Sequence, residues 1–199
     1  MPKDLGQGSA IATPRDGPTW FAGKALFWWL WPPLVALDLW SKAWAFGFLA
    51  SDERYRSLPE MERRHEVFDG ALRFQIVSWR NPGTIWGLFP DYTVPLIALR
   101  IAALFVLAWY LRKASARARV QQAVLALITA GAIGNLYDNF FAAGHRVRDF
   151  LYFTGDWPVA WTFPAFNVAD SCITVGAVAL VFLLMGEDRA VRGSGSRVS

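Results

Sequence analysis

The sequence predicts an all-α membrane protein with four transmembrane helices, and three observations lead there. Hydrophobic residues make up 54% of the 199 residues and charged ones only 18%, with a mean hydropathy of +0.26. Four apolar segments approach the roughly 20 residues that a spanning helix needs. Basic residues crowd one set of segment ends, the asymmetry that sets orientation in a bilayer.

The first segment runs from about Phe21 to Ala45 and contains Pro32-Pro33, which should kink it, a defect that neighbouring helices can absorb. Its length, Asp38 and Lys42 argue against a cleavable signal peptide. The second segment is about Val94 to Leu111, the third Val120 to Tyr137 and the fourth Ala169 to Met185. Between the second and third, Arg112, Lys113, Arg117 and Arg119 gather without an acid, a cytoplasmic mark. Both tails carry basic residues and read as cytoplasmic, so loops 50–92 and 138–168 face the other side. Residues 1–18 and 186–199 are rich in Gly, Ser, Pro and Arg and read as disordered tails around a membrane domain at 19–185. In the first outer loop, Ser51 to Glu66 is charged and amphipathic. Phe74 to Trp79 alternates crudely before the turn signal Asn81-Pro-Gly83, so a short strand or two on the membrane surface is expected.

Composition also excludes. Eleven Trp and fifteen Phe suit aromatic belts at the headgroups. The net charge of +4 is too diffuse for a nucleic-acid footprint. One cysteine, Cys172, allows no intrachain disulfide and reads as packing. His65 and His145 are too few for a typical zinc site, and His145 reads as a solvated loop residue. No metal and no cofactor is expected.

The polar residues inside this apolar chain carry the functional signal. Asp149 lies in Arg146-Val-Arg-Asp-Phe150, in the second outer loop. Asp170 opens the uncharged run Ser171 to Met185. A carboxylate at a bilayer boundary is costly and is a functional hypothesis by default. Two of them close together at low dielectric cannot both ionise, so one pKa rises and the other falls. Such a pair can draw a proton from water and protonate a leaving group, hydrolysing an amide without metal. The rival reading is that Asp170 merely caps the fourth helix, and spacing alone leaves both open. Asp38 and Arg100 each lie about seven residues inside the outer ends of their helices, roughly 10 Å deep. Asp38 is therefore expected to pair with Arg100, or with Lys42 on its own helix face, as structural support. Gly131-Ala-Ile-Gly134 reads as close helix packing.

Five blocks in order resemble the lipoprotein signal peptidases, also called signal peptidase II. Asp38-Leu-Trp-Ser-Lys42 is similar to the family's D-Q-x-T/S-K, and Arg80-Asn-Pro-Gly83 with Thr-Ile-Trp86-Gly87 to R-N-x-G-A-A-F/W-G. Gly131 to Asp138 resembles G-A-I-G-N-x-x-D-R, Val147 to Phe150 resembles V-V-D-F, and Phe163 to Ser171 resembles W/F-P-x-F-N-x-A-D-S. The resemblance implies four spanning helices with both termini cytoplasmic, a small extracytoplasmic β-rich cradle and a loop helix. It implies an aspartyl endopeptidase of the bacterial inner membrane that cuts a prolipoprotein signal peptide before a diacylglyceryl cysteine. Asp149 and Asp170 match the catalytic pair. Asn81, Asn135 and Asn167 match positions that hold substrate backbone or orient the pair, and Asp38, Lys42 and Asp138 match structural support. Partners would be lipid-modified prolipoproteins and membrane lipids, and the family leans towards a monomer.

Departures from the pattern are informative. Asn139 stands where the family has an arginine, so a donor to the substrate backbone is missing or supplied elsewhere. Arg148, in place of an apolar residue, either supplies it or lowers the pKa of Asp149. Thr84-Ile85 replaces a small pair. A transporter or assembly factor relaying protons through Asp38, Arg100 and Asp170 is the competing class, and an inactive family member is a third.

Overall fold

Apolar segments fold into helices in lipid because every backbone N–H and C=O must find a partner within its own segment. The computed structural model describes residue 21 and residues 23–82 and 93–195. It has four long helices: α1 (Ala25–Ser51), α2 (Thr93–Lys113), α3 (Arg119–Phe141) and α4 (Val168–Gly195). Helix α1 continues through Pro32 and Pro33. Among the described residues, three helical stretches are long and apolar enough to cross a membrane: Val94–Lys113, Arg119–Phe141 and Val168–Gly186. Helix α1 falls short of that measure although it is longer than α2. Its five tryptophans, two prolines and the Asp38–Lys42 pair lower its mean hydropathy. Helix α4 runs past the expected end at Met185.

Loops 50–92 and 138–168 carry a small sheet, in keeping with the β-rich cradle that the resemblance implies. The strands β1 (Arg64–Phe68), β2 (Leu72–Asn81), β3 (Val147–Gly155) and β4 (Trp161–Phe166) form one antiparallel sheet in the order β1-β2-β3-β4. Each of these two loops therefore contributes a hairpin, and the two hairpins join through β2 and β3. Only the β2 strand was foreshadowed by alternation. Asp149 accordingly lies on a strand, not in a loop. The stretch Ser51 to Glu66 is divided among the end of α1, a 3₁₀ turn at Glu60–Glu62 and the start of β1. Among the described residues of the outer loops, the helical content is that turn and a second at Ala143–His145. The expected tail 1–18 and the block Gly83, Thr84, Ile85, Trp86 and Gly87 lie outside the described residues.

Two apolar clusters brace opposite ends of the bundle. Phe27, Leu107, Leu111, Leu125 and Ala126 pack α1, α2 and α3 together. Ala45, Leu49, Ile76 and Phe150 seat the sheet on the other end of α1. Large side chains such as Trp29 (81% exposed), Phe105 (73%) and Phe182 (68%) face outward, a surface suited to lipid rather than water.

Helix α3 meets α4 at glycines. A Cβ on Gly131 would strike the carbonyl oxygen of Ala169 and lie 2.6 Å from Ile173 Cγ1. One on Gly134 would lie 2.5 Å from Asp38 Oδ2, and one on Gly176 2.6 Å from Ile128 Cγ1. The expected close packing at Gly131 and Gly134 is thus specific: backbone on one side, a buried carboxylate on the other.

Gly131→Val and Gly134→Val are each expected to destabilise the protein by about 1–3 kcal/mol through overpacking. Gly47→Ala, with nothing within 4 Å of the added carbon, should leave stability unchanged or slightly raised. Thermal unfolding of the three variants in detergent checks the contrast.

Candidate active site

The site grows from the N-terminus of α4. The first turn of any helix leaves backbone N–H groups without intrahelical partners. Here Asn167, which precedes α4, accepts the Asp170 N–H on its side-chain oxygen at 2.9 Å. Asp170 Oδ2 accepts the Asn167 N–H in return at 3.3 Å. This is a reciprocal cap, so the cap residue is Asn167 and Asp170 is its third-position counterpart. A further orphan, the Ala169 N–H, donates to Asp38 Oδ1 at 2.8 Å. Capping and pairing, which the sequence posed as rivals for Asp170, coexist.

Sheet register supplies the second carboxylate. Trp79 pairs with Asp149 and Asn81 with Val147. Asn81 and Asp149 are therefore diagonal neighbours on one face, within side-chain reach. Asn81 Nδ2 donates to Asp149 Oδ2 at 3.0 Å, and Asn167 Nδ2 donates to Asp149 Oδ1 at 2.7 Å. One asparagine thus holds both aspartates, Asp149 by its NH₂ and Asp170 by its carbonyl oxygen and its own N–H. Asn135 completes the clasp, donating to Asp170 Oδ1 at 2.7 Å while its oxygen accepts from Asn167 Nδ2 at 3.2 Å. Asp149 is 2% exposed. Burial first, and the Asp170 charge second, push its carboxyl up to about 8 against the hydrogen bonds from Asn81 and Asn167. Two carboxyls so placed favour sharing one proton.

Beneath the pair lies a buried charge cluster. Lys42, fully buried, donates to Asp38 Oδ2 at 2.8 Å and Asn135 Oδ1 at 3.1 Å, and pairs with Asp138 Oδ2 at 3.2 Å. Its three ammonium protons are matched by three acceptors. Of the two partners expected for Asp38, Lys42 is the one found. Arg100 donates instead to Asn139 Oδ1. Arg148 is also redirected: its guanidinium binds Asp138 Oδ1 through Nε at 3.0 Å and Nη2 at 2.7 Å, and its backbone N–H reaches Asp138 Oδ2 at 2.9 Å. The expectation that Arg148 lowers the Asp149 pKa fails, because its charge is spent on Asp138 and burial drives Asp149 upward. Arg148 acts on the pair through its carbonyl oxygen, which accepts from Asn167 Nδ2 at 3.3 Å.

A cleft of about 380 Å³ opens beside Asp149, lined by Met61, Trp79, Asn81, Tyr152, Phe163 and Pro164 among others. Trp79 and Tyr152, with ring centroids 4.7 Å apart, form its aromatic wall. Cys172 is buried as packing, 7% exposed. His65 Nδ1 meets the Tyr55 hydroxyl at 2.9 Å. His145 is exposed, as expected, but is tied to α3. Its Nδ1 lies 2.9 Å from the Asn139 carbonyl oxygen, and its own carbonyl accepts from Asn139 Nδ2 at 2.9 Å. Asn139 was read from the sequence only as a departure, yet it links Arg100 to this turn. The signal for it was spacing: Asn135, Asp138 and Asn139 fall at i, i+3 and i+4 on one helix face.

A helical membrane bundle with two clasped carboxyls beneath a small sheet is the class that fold and site define. A family model described as Signal peptidase (SPase) II matches residues 32–185, and the chain belongs to that family. The lipoprotein signal peptidase of Anaeromyxobacter sp. (strain Fw109-5) is 33% identical over 200 residues, covering 88% of this chain and 92% of the relative. Those of Chlamydia trachomatis serovar L2 and Chlamydia pneumoniae are 36% identical over 113 residues and 42% over 115. The chain spans 65% of the length of these two Chlamydia relatives and is matched over 56% and 57% of its own. A solved structure of a bacterial membrane enzyme shares the fold, with a TM-score of 0.61 at 24% identity over 83% of this chain and 88% of that one. Family and apolar helices together make this a bacterial membrane protein.

Lys42→Met would leave Asp38 and Asp138 buried without their shared cation. A loss of about 3–5 kcal/mol is expected, partly recovered in Lys42→Met/Asp38→Asn. Unfolding midpoints of the single and double variants test this, and a stable single variant would refute the structural role assigned to the cluster.

Proposed function

We propose that the protein is an aspartyl endopeptidase that removes the signal peptide from diacylglyceryl-modified prolipoproteins, cutting before the lipidated cysteine. The observation that carries this is the clasp of Asp149 and Asp170 by the single residue Asn167. Membership of the signal peptidase II family supports the substrate class.

In this reading one of the two carboxyls is ionised and the other protonated. The ionised group takes a proton from a water held between them as its oxygen attacks the scissile carbonyl carbon. The C–N bond then breaks, and the protonated group gives its proton to the departing amine. Atoms and charge balance without metal or covalent intermediate. Asn81, Asn135 and Asn167 hold and orient the carboxyls. Asp38, Lys42, Asp138 and Arg148 keep α1, α3, β3 and the start of α4 in register beneath them.

All four long helices span the membrane in this account, α1 included, with the Asp38–Lys42 charges facing inward. The basic α2–α3 loop and both tails lie in the cytoplasm, and the sheet lies on the extracytoplasmic side. Substrate enters laterally from lipid, and the working unit is a monomer.

Asp149→Asn and Asp170→Asn are each expected to lower cleavage of a lipid-modified precursor peptide by at least about 10³-fold, with thermal stability close to the parent. Full activity in either variant would end the peptidase assignment. Chelators should have no effect on turnover. With the Asp149 carboxyl raised to about 8 by burial, the shared proton is present below that value and leaves above it. Cleavage should therefore fall as pH rises through about 8. The same shift makes the folded state bind more protons than the unfolded one between 3.8 and about 8. This contribution to stability should decline as pH rises across that window, and Asp149→Asn should reduce the slope.

A further inference from the structure

A guanidinium inside a spanning helix is costly and ordinarily pairs with a carboxylate. Among the described residues, Arg100, half-buried on α2 about seven residues from its start, has no carboxylate partner. The nearby carboxylates are engaged elsewhere: Asp38 by Lys42 and the Ala169 N–H, Asp138 by Lys42 and Arg148, Asp149 and Asp170 by asparagines. Among the described residues, its hydrogen-bond partner is the neutral side-chain oxygen of Asn139, which uses one of five N–H donors.

The placement of that anchor is specific. Asn139 lies one helical turn beyond Asn135, which donates to Asp170. The guanidinium is therefore held roughly 6 Å along α3 from the Asp170 contact. Asn139 is held in turn by the His145 carbonyl, to which its Nδ2 donates at 2.9 Å. Arg100 lies within electrostatic range of Asp170, Asp149 and Asp138. The cleft described above opens beside Asp149.

We propose that Arg100 donates to a backbone carbonyl of the bound precursor peptide, on the side of the scissile bond that faces Asp170. The planar fork suits a fixed acceptor better than an ammonium would. The inference deepens the peptidase reading and rests on it for the identity of the substrate. It also accounts for Asn139, where the family pattern has arginine: the guanidinium comes from α2, and the asparagine holds it.

The test uses the full chain in detergent with a fluorescent, lipid-modified precursor peptide, measuring binding, kinetics and unfolding midpoint. Arg100→Ala should weaken peptide binding and raise KM by about 10- to 100-fold, the range for a hydrogen bond to a charged group. Its kcat should stay within about threefold and its unfolding midpoint near the parent. The exchanged variant Arg100→Asn/Asn139→Arg should recover most of the binding, which a purely structural loss would not do. Unchanged binding in Arg100→Ala, or weakening that follows the midpoint and is not recovered by the exchange, overturns the proposal. A parent that binds the peptide without cutting it would count against the peptidase reading alone, since loss of binding in Arg100→Ala would still uphold this one.

Discussion

The arrangement depends on one amide. Asn167 joins Asp149 on β3 to Asp170 on α4, and it can do so because it caps the helix on which Asp170 stands. A cap is fixed by the backbone N–H groups it satisfies, so its side chain has little freedom to abandon either partner. The aspartates meet where a strand end and a helix start are both geometrically pinned. Two acids at low dielectric then favour a single shared negative charge, because full ionisation would place like charges side by side.

That constraint propagates into the bundle. Asn135 needs its amide oriented with NH₂ towards Asp170, and Lys42 enforces this by donating to the oxygen. Lys42 is held by Asp38 and Asp138, and Asp138 by Arg148, the residue before Asp149. The chain of contacts closes on itself through α1, α3, β3 and the start of α4. Three cations, Lys42, Arg148 and Arg100, face Asp38, Asp138 and the aspartate pair. Charge balances when that pair carries one negative charge rather than two. Gly131 and Gly134 matter for the same reason, since a side chain at either position would hold α3 away from α4 and Asp38.

Much of this was legible in the sequence because burial of polar groups in an apolar chain is conspicuous. Asp38, Lys42, Asn135, Asp138, Asn167 and Asp170 stand out against their surroundings, and helical spacing puts the first pair and the α3 residues on shared faces. The four long helices followed from length and hydropathy, although α1 was read from continuity more than from apolarity. The family resemblance implied a β-rich cradle, but the strand pairing itself was hidden. Its β2–β3 pairing joins residues about seventy positions apart, as Trp79 to Asp149, and local alternation cannot report a partner so distant. The same blindness misplaced Arg148, whose partner Asp138 becomes reachable only once β3 folds back along α3. Equal depth offered Arg100 beside Lys42 as a partner for Asp38, but depth does not say which way around the bundle a side chain points.

The central claim is that Asp149 and Asp170 share one proton at working pH. Infrared difference spectroscopy of the protein in detergent measures this directly through the carbonyl stretch of a protonated carboxylic acid. The account predicts such a band below about pH 8, lost on titration above it and altered by asparagine at either position. Carboxylate bands alone for both residues at neutral pH, or a protonated band indifferent to both substitutions, would contradict it.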